Sequence, residues 1–335
     1  MTDKLHFQFL ITEEEAGRRL DEFLWSRFGA LSRMRVTNLI AEGACLVNRS
    51  ASHAGYHVAA GDKVELAFED SLPTAMNPEA IPLEIVYEDS HLIVLVKPTG
   101  MVVHPTRHIK SGTLANALVY YFNRDHYESR DYSANGPAHG ESHSLIRPGI
   151  VHRLDRPTSG LMVVARTARS LSLLTRHFQR RLVEKRYLAL VVGCPTADSG
   201  AIIAPIGRVM SDHVHEEGRP HWWVMENGKS AETRFRILER AGPFTLLELE
   251  PVTGRTNQLR IHCAYAGYPI LGDKAYMNCG LNASSTAIDP TEQPARLCLH
   301  ASRLAFYHPA TGEWMEFESP LPADIASVFD RAKGG

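Results

Sequence analysis

The sequence predicts an α+β protein whose main domain contains a mixed, mainly antiparallel sheet flanked by helices and loops, with a small α+β unit before it. Three observations lead to this prediction. A chain of 335 residues is longer than most single domains. Its first part combines short helical and strand-like patterns, whereas the remainder is rich in strands. Several of these strands follow one another without a crossover helix, which favours antiparallel pairing over a doubly wound sheet.

A compact unit over residues 12–72 is predicted from two helical patterns followed by two strands. The second helix begins at Ser32, and Gly43 ends it. The segments ACLVNRSAS and AGDKVELAF are typical of short strands beside glycine turns. Apolar residues at helical spacing form the buried faces, which are Ala16, Leu20, Phe23 and Leu24 in the first helix and Val36, Leu39 and Ile40 in the second.

A linker is predicted over residues 73–83, because SLPTAMNPEAIP contains three prolines and no periodicity. The larger domain then extends over residues 84–326. Two polar stretches within it, residues 123–148 and 277–294, lack periodicity and are predicted to be surface insertions. Its strand candidates are EIVYED, HLIVLVKP, LMVVA, YLALVVG, ETRFRIL and FTLLELE.

The composition is that of an ordinary globular protein, and we expect it in the cytoplasm as a monomer. The net charge of −2 indicates no class of partner, so a nucleic-acid function requires local basic clusters. The five cysteines are scattered without a CxxC pair, which predicts free thiols and argues against a disulfide framework or a structural zinc site. No stretch approaches about 18 uninterrupted apolar residues, so we expect no membrane span.

A basic segment from Arg166 to Arg186 is opposed only by Glu184 and provides one such cluster. Two interpretations stay open for it: a solvated helix face, which is how most charge runs behave, or a contact with phosphates. The N-terminal unit adds Arg33 and Arg35 among other arginines, which favours the second. At helical spacing, Leu171, Leu174, Phe178 and Leu182 fall on one side and Arg169, Arg176 and Arg180 on the other.

The stretch GIVHRLDRPTSGLMVVA, residues 149–165, places His152, Arg153 and Asp155 directly before a proline turn and an apolar strand. Spacing alone leaves two interpretations of Asp155. It is either an aspartate that accepts hydrogen bonds from its own turn or a reactive carboxylate at the edge of a strand.

A second chemical stretch, TGRTNQLRIHCAYAG, predicts a helix that Gly267 ends, with Leu259, Cys263 and Ala266 facing the core. Arg255 and Arg260 lie near its start. An arginine aimed at a carboxylate inside a cleft would keep the carboxylate ionised by lowering its pKa. The spacing does not show whether such a pair forms.

The segment HRLDRPTSGLMVVART resembles the signature HRLDxxTSGxxxxA of the large-ribosomal-subunit type of pseudouridine synthases, the RluA-like family. The resemblance covers residues 84–324 through further blocks in the same order. The unit at residues 12–72 resembles the alpha-L (S-four-like) RNA-binding module that many such synthases carry. The further blocks are KPTGMVVHP at 97–105, EKRYLALVVG at 184–193, GRTNQLRIH at 254–262 and LHASRLAFYHPATGEWMEFESPLPAD at 299–324.

The resemblance implies a pseudouridine synthase fold in which Asp155 is the catalytic aspartate and Arg260 forms an ion pair with it. Tyr187 would lie against the target base, and Arg153 would help to displace that base from the RNA. The block usually written GRTHQ has Asn257 in the histidine position. We further expect RNA contacts at His152, Arg255, Gln258, Arg169, Arg176, Arg180, Arg33 and Arg35.

The implied reaction rearranges uridine without loss of atoms or a redox step, so we expect no cofactor and no metal. The target base must first be flipped out of the folded RNA. Asp155 would then act either as a nucleophile or as a base, and the sequence does not decide between these roles. We expect large-subunit ribosomal RNA as the substrate, with transfer RNA as the alternative.

Two other classes stay open. The first is a non-catalytic RNA-binding or ribosome-assembly protein, against which the intact HRLD, KRY and QLR segments argue. The second is a glycoside hydrolase, which needs two carboxylates, whereas the sequence shows one well-placed acid.

Overall fold

The computed structural model describes residues 4–28, 33–69, 76–106, 108–128, 146–209, 222–279 and 294–334. The chain divides into two compact units. The first comprises Met1–Pro82, His104–Ile150 and Ala165–Leu171, and the second comprises Leu83–Val103, Val151–Val164 and Ser172–Gly335. The domain limits and the linker that the sequence suggests stay a prediction.

The first unit contains an antiparallel sheet in the order β1–β4–β2–β3, with β1 (Lys4–Leu10), β2 (Cys45–Val47), β3 (Ser50–Ala51) and β4 (Lys63–Glu69). The two predicted strand segments are confirmed as β2–β3 and β4. Strand β1 is not among the predicted strands, although it pairs with β4 along its whole length.

Two helices cover this sheet, α1 (Leu20–Arg27) and α2 (Arg33–Ala41). Their predicted apolar faces are buried against the strands, except that Ala16 lies in a turn before α1. Gly43 ends α2 as predicted: its φ is 77°, and its amide donates to the Ile40 carbonyl at 3.1 Å. The predicted start of α2 at Ser32 lies outside the described residues.

The remaining elements of the first unit are α3 (Leu114–Phe122), α4 (Arg124–Glu128) and β7 (Gly149–Ile150). Helix α3 begins with a capping box in which Thr113 and Asn116 each accept from the other's backbone amide. The predicted surface insertions fall mostly on residues 129–145 and 280–293, outside the described part of the chain. The same is true of residues 70–75, around the start of the predicted linker.

The second unit contains the large sheet, in the order β10–β13–β14–β9–β15–β8–β6–β5, with β16 paired to β15. Strand β15 runs parallel to β8 and antiparallel to β9 and β16, and β13–β14–β9 is an antiparallel series. The sheet is therefore mixed and mainly antiparallel, as predicted. Its strands are β5 (Glu84–Glu88), β6 (Leu92–Lys97), β8 (Ser159–Ala165), β9 (Glu184–Val192), β10 (Ser199–Ile203), β13 (Glu232–Ala241), β14 (Phe244–Pro251), β15 (Leu299–Tyr307) and β16 (Trp314–Glu318).

All six strand candidates are confirmed, whereas β10, β15, β16 and a small separate hairpin are not among the predicted strands. The hairpin consists of β11 (Ile206–Arg208) and β12 (Trp222–Val224). Two further helices, α6 (Gln258–Tyr265) and α7 (Ala323–Gly334), pack their apolar residues against β9 and β14. Helix α6 ends at Gly267, as predicted: the φ of this glycine is 88°.

The basic helix is shorter than its pattern predicts. It is α5 (Ala168–Gln179), and it ends where Arg181 adopts a left-handed φ of 57°. The amide of Leu182 then donates to the His177 carbonyl at 2.9 Å, which completes a Schellman motif with arginine where glycine is usual. The prediction that Leu182 continues the apolar face is wrong, because the helix has already ended and this side chain is exposed.

No helix in the described part of the chain is long and apolar enough to cross a membrane. All five cysteines are free thiols.

Candidate active site

The turn that carries Asp155 lies between an extended segment and strand β8. The Thr158 amide donates to the Asp155 carbonyl at 3.1 Å, which closes the turn. In the described part of the chain, the Asp155 carboxylate has one ion-pair contact, with Arg260, and does not accept hydrogen bonds from the turn. The structure therefore does not use Asp155 as a turn-capping aspartate, which was one of its two interpretations.

A buried lysine connects the loop after β6 with the turn that carries Asp155. Lys97, the last residue of β6, donates from Nζ to the carbonyls of Pro98 at 2.7 Å, Met101 at 2.9 Å and Arg156 at 3.4 Å. Burial and the charge of Arg296 lower the pKa of Lys97 to about 7, while the charge of Asp155 opposes the shift. The KPTGM block thus anchors the Asp155 turn.

The backbones of the two loops are also joined. The Gly100 amide donates to the Arg156 carbonyl at 2.8 Å, and Thr99 Oγ1 donates to the Pro157 carbonyl at 2.8 Å. These bonds fix the path of the turn while leaving the Asp155 side chain outside the network.

Strand β8 approaches β15 closely just after the turn. Gly160 lies beside Ala301, and a Cβ on this glycine would lie 2.3 Å from the Ala301 carbonyl oxygen. On the same strand, Ser159 Oγ lies 2.8 Å from His300 Nδ1 and also accepts from Arg296. The TSG segment therefore serves close strand packing, which is why only glycine fits at position 160.

Arg260 is positioned by α6 and by a second carboxylate. Its Nε and Nη2 donate to Asp273 Oδ2 and Oδ1, each at 2.7 Å, whereas its Nη1 lies 3.8 Å from Asp155 Oδ2. The predicted pair with Asp155 is thus a long contact, and the close bidentate pair is with Asp273. Burial lowers the pKa of Arg260, but the hydrogen bonds and charge of Asp273 outweigh burial and raise it.

Asn257 and Tyr276 complete the surroundings of this guanidinium. The Asn257 amide oxygen accepts from Arg260 Nη1 at 3.3 Å, and the amide nitrogen donates to the Tyr276 hydroxyl at 3.0 Å. The Tyr276 ring centroid lies 4.9 Å from the Arg260 Cζ atom. We call Asn257, Asp273 and Tyr276 the arginine cradle.

Tyr187 lies on β9, where it is opposite Leu249 of β14 and Ala301 of β15. Burial, and secondarily the charge of Asp155, raise the pKa of the Tyr187 phenol. The phenol is therefore protonated across the physiological pH range and presents a ring and a hydroxyl donor to the site.

Asp155, Tyr187 and Arg260 line one cavity of about 630 Å³, within the range of about 300–1,000 Å³ typical of small-molecule sites. The cavity is also lined by His152, Arg153, Arg255 and Gln258. The structure therefore brings together seven of the nine predicted site residues that lie in the second unit. Arg169 and Arg176 of α5 are exposed, and so is Arg180, which directly follows the end of this helix. In the first unit, Arg33 is exposed and Arg35 half-buried on α2.

Two of the predicted RNA-binding residues are held by the protein itself. The Gln258 amide accepts from Thr253 Oγ1 at 2.7 Å and from the Arg255 amide, and it donates to the Glu232 carbonyl at 2.8 Å. Gln258 is buried, so we interpret it as a residue that shapes the turn before α6.

His152 Nε2 accepts from the Val163 amide at 3.0 Å, and its ring stacks on Phe178 at 4.6 Å. Burial and the charge of Lys185 lower the pKa of His152 to about 3, so the imidazole is neutral. Direct RNA contacts of Gln258 and His152 stay a prediction.

The Asp155 side chain is less exposed than two other carboxylates that line the cavity. It is 24% exposed, against 55% for Glu184 and 47% for Glu250 at the rim. Burial raises the pKa of Asp155, while Arg260, Arg153 and Lys97 lower it and Asp273 raises it further. The result is a carboxylate whose pKa stands above its ordinary value despite three nearby cations.

Sequence analysis did not find Lys97 or Asp273. Lys97 ends an apolar strand candidate, and a charged residue that ends such a run and precedes Pro98 was the available signal. Asp273 lies beyond α6 in a segment without periodicity, so no pattern connects it with Arg260.

The site thus combines a half-buried carboxylate, paired at long range with a guanidinium, and a protonated tyrosine in one cavity, which are groups that nucleophilic or base catalysis can use. Comparison with known proteins specifies the class. Residues 91–265 match the family described as RNA pseudouridylate synthase. The chain is 38% identical to the uncharacterized RNA pseudouridine synthase YlyB of Bacillus subtilis (strain 168), over 96% of each chain.

It is also 36% identical to ribosomal large subunit pseudouridine synthase D of Pasteurella multocida (strain Pm70), over 95% of this chain and 92% of that protein. Among solved structures, human RNA pseudouridylate synthase domain containing 1 is similar, with a TM-score of 0.54 and 26% identity over 75% of this chain and 89% of that one. The chain therefore belongs to the RNA pseudouridylate synthase family, and it is an enzyme that isomerises uridine in RNA.

Proposed function

We propose that this enzyme modifies uridines of large-subunit ribosomal RNA and that Asp155 is its catalytic residue. The burial of Asp155 at the Arg260 end of the cavity carries the assignment, because the rim carboxylates are far more exposed. The names of relatives from Pasteurella multocida and Pseudomonas aeruginosa, both ribosomal large subunit pseudouridine synthase D, support the RNA class.

The reaction needs an ionised group that reaches the flipped nucleotide. The bond from the ribose C1′ to uracil N1 breaks, the ring turns, and C1′ bonds to C5; the C5 proton leaves and N1 takes up a proton, so that no atom is gained or lost. Asp155 either attacks as a nucleophile or removes a ribose proton, and both roles require the carboxylate. Arg260, Arg153 and Lys97 favour this charged form against the effect of burial.

The remaining cavity residues hold the base. Tyr187 stacks on the flipped uracil, a contact worth about 1–3 kcal/mol in single-strand binders. Arg153 is exposed beside Asp155 and takes the place that the base leaves in the RNA. The energy for base flipping, a few kcal/mol, comes from such contacts and from phosphate binding.

Phosphate contacts are proposed for five of the predicted arginines. Arg169 and Arg176 of α5, Arg180 just after it, and Arg33 and Arg35 of α2 supply sequence-independent affinity. Arg33 also lies 4.4 Å from the Trp25 ring centroid, a cation–π contact that orders its side chain. Each arginine changed to alanine should weaken RNA binding and reduce its salt dependence.

The test is a site-resolved pseudouridine map of ribosomal and transfer RNA from a strain that lacks the protein, before and after incubation with it. We expect new pseudouridine in large-subunit RNA. New sites confined to transfer RNA would contradict the RNA class.

Asp155→Asn should bind the same RNA and lose turnover by at least about 10³-fold. The matched control is Glu250→Gln, which neutralises a carboxylate at the rim of the same cavity and should lose far less. Full turnover in Asp155→Asn would contradict the catalytic assignment. The cytoplasmic location and the monomeric state stay predictions.

A further inference from the structure

Asp273 is held in place by its own turn. Its Oδ1 accepts from the amides of Ala275 at 3.0 Å and Tyr276 at 3.2 Å, in addition to Arg260 Nη2. The side chain is 0% exposed. The turn is tightly packed, since a Cβ on Gly272 would lie 2.1 Å from the Arg296 carbonyl oxygen. Asp273 is therefore held in one position, and it binds Arg260 only while the guanidinium keeps its present orientation.

The rest of the arginine cradle limits Arg260 from other sides. The Asn257 amide oxygen accepts from Nη1, the guanidinium lies over the Tyr276 ring, and this ring stacks with Trp223 at a centroid distance of 6.0 Å. Asn257 has a left-handed φ of 54°, a conformation that asparagine adopts more readily than most residues. The guanidinium is thus confined on several sides, and its side chain is only 10% exposed.

This confinement determines which contact Arg260 can make with Asp155. Two donors of Arg260 are used by Asp273, and the third nitrogen is 3.8 Å from Asp155 Oδ2, beyond hydrogen-bond distance. A planar guanidinium that was free to turn would bind Asp155 bidentately, the strongest geometry for such a pair. A carboxylate bound in that way would be charged but unable to reach the nucleotide.

We propose that Asp273 is a positioning residue, which keeps Arg260 close enough to favour the charged form of Asp155 but prevents a hydrogen-bonded pair that would hold Asp155 away from its substrate. The proposal rests on the catalytic role of Asp155 given under the proposed function. Asp273 is not among the residues that line the cavity, so it acts through Arg260.

The charged groups around Asp155 set the expected pH dependence. Arg260, Arg153 and Lys97 lower its pKa, Asp273 raises it, and the neighbouring Tyr187 phenol is protonated. In Asp273→Asn a negative charge is lost and Arg260 is free to turn towards Asp155. Both changes lower the pKa of Asp155. Because activity requires the carboxylate, the acidic limb of the pH–rate profile should move to lower pH.

The experiment measures single-turnover rates against pH for the full-length protein, using an unmodified RNA transcript that contains a uridine the wild type modifies. For Asp273→Asn we expect the acidic limb about 1 unit lower and the rate at neutral pH at least about tenfold lower. RNA affinity should change less than about threefold, because Asp273 does not face the cavity. Asp273→Glu, which keeps the charge, should recover part of the rate and the wild-type limb.

Asp89→Asn is the matched control. Asp89 also accepts two backbone amides, those of His91 and Leu92, and pairs with His308. This variant should lose stability without a shift of the acidic limb. If Asp273→Asn behaves in the same way, Asp273 is only structural and the proposal is wrong.

A second variant covers the case in which Asp273→Asn does not fold. Asn257→Ala frees Nη1 without removing a buried charge, so it should shift the limb in the same direction by a smaller amount. An unmoved limb in this variant would overturn the proposal. Asp155→Asn distinguishes a failure of the proposed function from a failure of this inference. Full turnover in Asp155→Asn would contradict the proposed function. An inactive Asp155→Asn, together with an unmoved acidic limb in Asp273→Asn, would contradict this inference alone.

Discussion

The two carboxylates on either side of Arg260 are held in opposite ways. Asp273 has a bidentate partner, two backbone amides and no exposure, whereas Asp155 is partly exposed and has one contact at 3.8 Å. The backbone of the Asp155 turn is nevertheless held by hydrogen bonds from Thr99 and Gly100, with a longer one from Lys97. Hydrogen bonds thus fix the arginine cradle and the backbone of the turn, whereas the Asp155 side chain has no hydrogen bond to the described residues.

This difference has a cost in stability. A buried charge with few partners destabilises the folded state, and burial raises the pKa of Asp155 accordingly. Asp273 is buried as well, but its hydrogen bonds and its pair with Arg260 compensate. The comparison teaches that Asp155, the proposed catalytic carboxylate, lies near the positive charge of Arg260, whose hydrogen bonds are made to Asp273 and Asn257 instead. Four predictions test it, from the largest expected effect to the smallest.

Arg260→Ala should strand Asp273 as a buried, unpaired charge. We expect the free energy of unfolding to fall by about 3–5 kcal/mol, measured by urea denaturation. The matched control is Arg255→Ala, since Arg255 is half-buried and its side chain donates to the Ser230 carbonyl at 3.0 Å without a carboxylate partner among the described residues. Equal losses in the two variants would break the comparison, because Arg260 would then contribute no more than an arginine without an ion pair.

Two variants of Tyr187 distinguish the contribution of its ring from that of its hydroxyl. Tyr187→Ala should weaken binding of the flipped nucleotide by about 1–3 kcal/mol through loss of stacking, whereas Tyr187→Phe keeps the ring and should lose less. Fluorescence of a 2-aminopurine next to the target uridine would follow flipping. If both variants behave alike, the hydroxyl rather than the ring is the group that matters beside Asp155.

Asp155→Asn should be more stable than the wild type at neutral pH. The folded-state pKa of Asp155 is raised, so the folded protein binds this proton more tightly than the unfolded chain. The wild type therefore loses stability relative to the variant as the pH rises from the unfolded-state pKa through the folded-state pKa. Thermal unfolding of both proteins from pH 4 to pH 7.5, taken as roughly spanning this window, measures the difference.

A variant less stable than the wild type at neutral pH, by contrast, would show that Asp155 is as well satisfied as Asp273. In that case the contrast between the two carboxylates would not hold.

Arg181→Gly tests strain at the rim of the cavity. The left-handed φ of Arg181 disfavours a side chain, and glycine is the usual residue at this point of a Schellman motif. The variant should unfold at a higher temperature, with a gain of up to about 1 kcal/mol. A gain accompanied by weaker RNA binding would indicate that Arg181 is retained for its charge. No gain would show that the left-handed conformation of Arg181 costs the fold little stability.

Much of the fold was predictable because strands and helices depend on local periodicity. The six apolar strand candidates and the glycine-terminated helix α6 were predicted, since an apolar run or a glycine in a left-handed conformation is visible within a few residues. Strand β1 and the β15–β16 pair were missed, because their mixed polar pattern makes sense only when the partner strand is known. The end of α5 was also missed, since arginine is not a residue that signals a left-handed turn.

The candidate site was predicted less completely. Asp155, Tyr187 and Arg260 came from the resemblance between short ordered blocks, and the cavity brings these three residues together. The spacing of these residues along the chain did not require that they meet in one cavity. Lys97 was not found because a lysine after an apolar strand is usually solvated at the surface.

The sequence by itself determined which chemical groups this enzyme has: a lone aspartate before a turn, a tyrosine on a strand and an arginine at the start of a helix. Only the tertiary structure decided which carboxylate the arginine binds. The guanidinium has three nitrogens and two candidate carboxylates. Which carboxylate it binds depends on differences of about 1 Å between nitrogen–oxygen distances, which arise where the Asp273 turn, α6 and the Asp155 turn meet. Local patterns contain no information at that scale, because each of the three segments would form with any other arrangement of its neighbours.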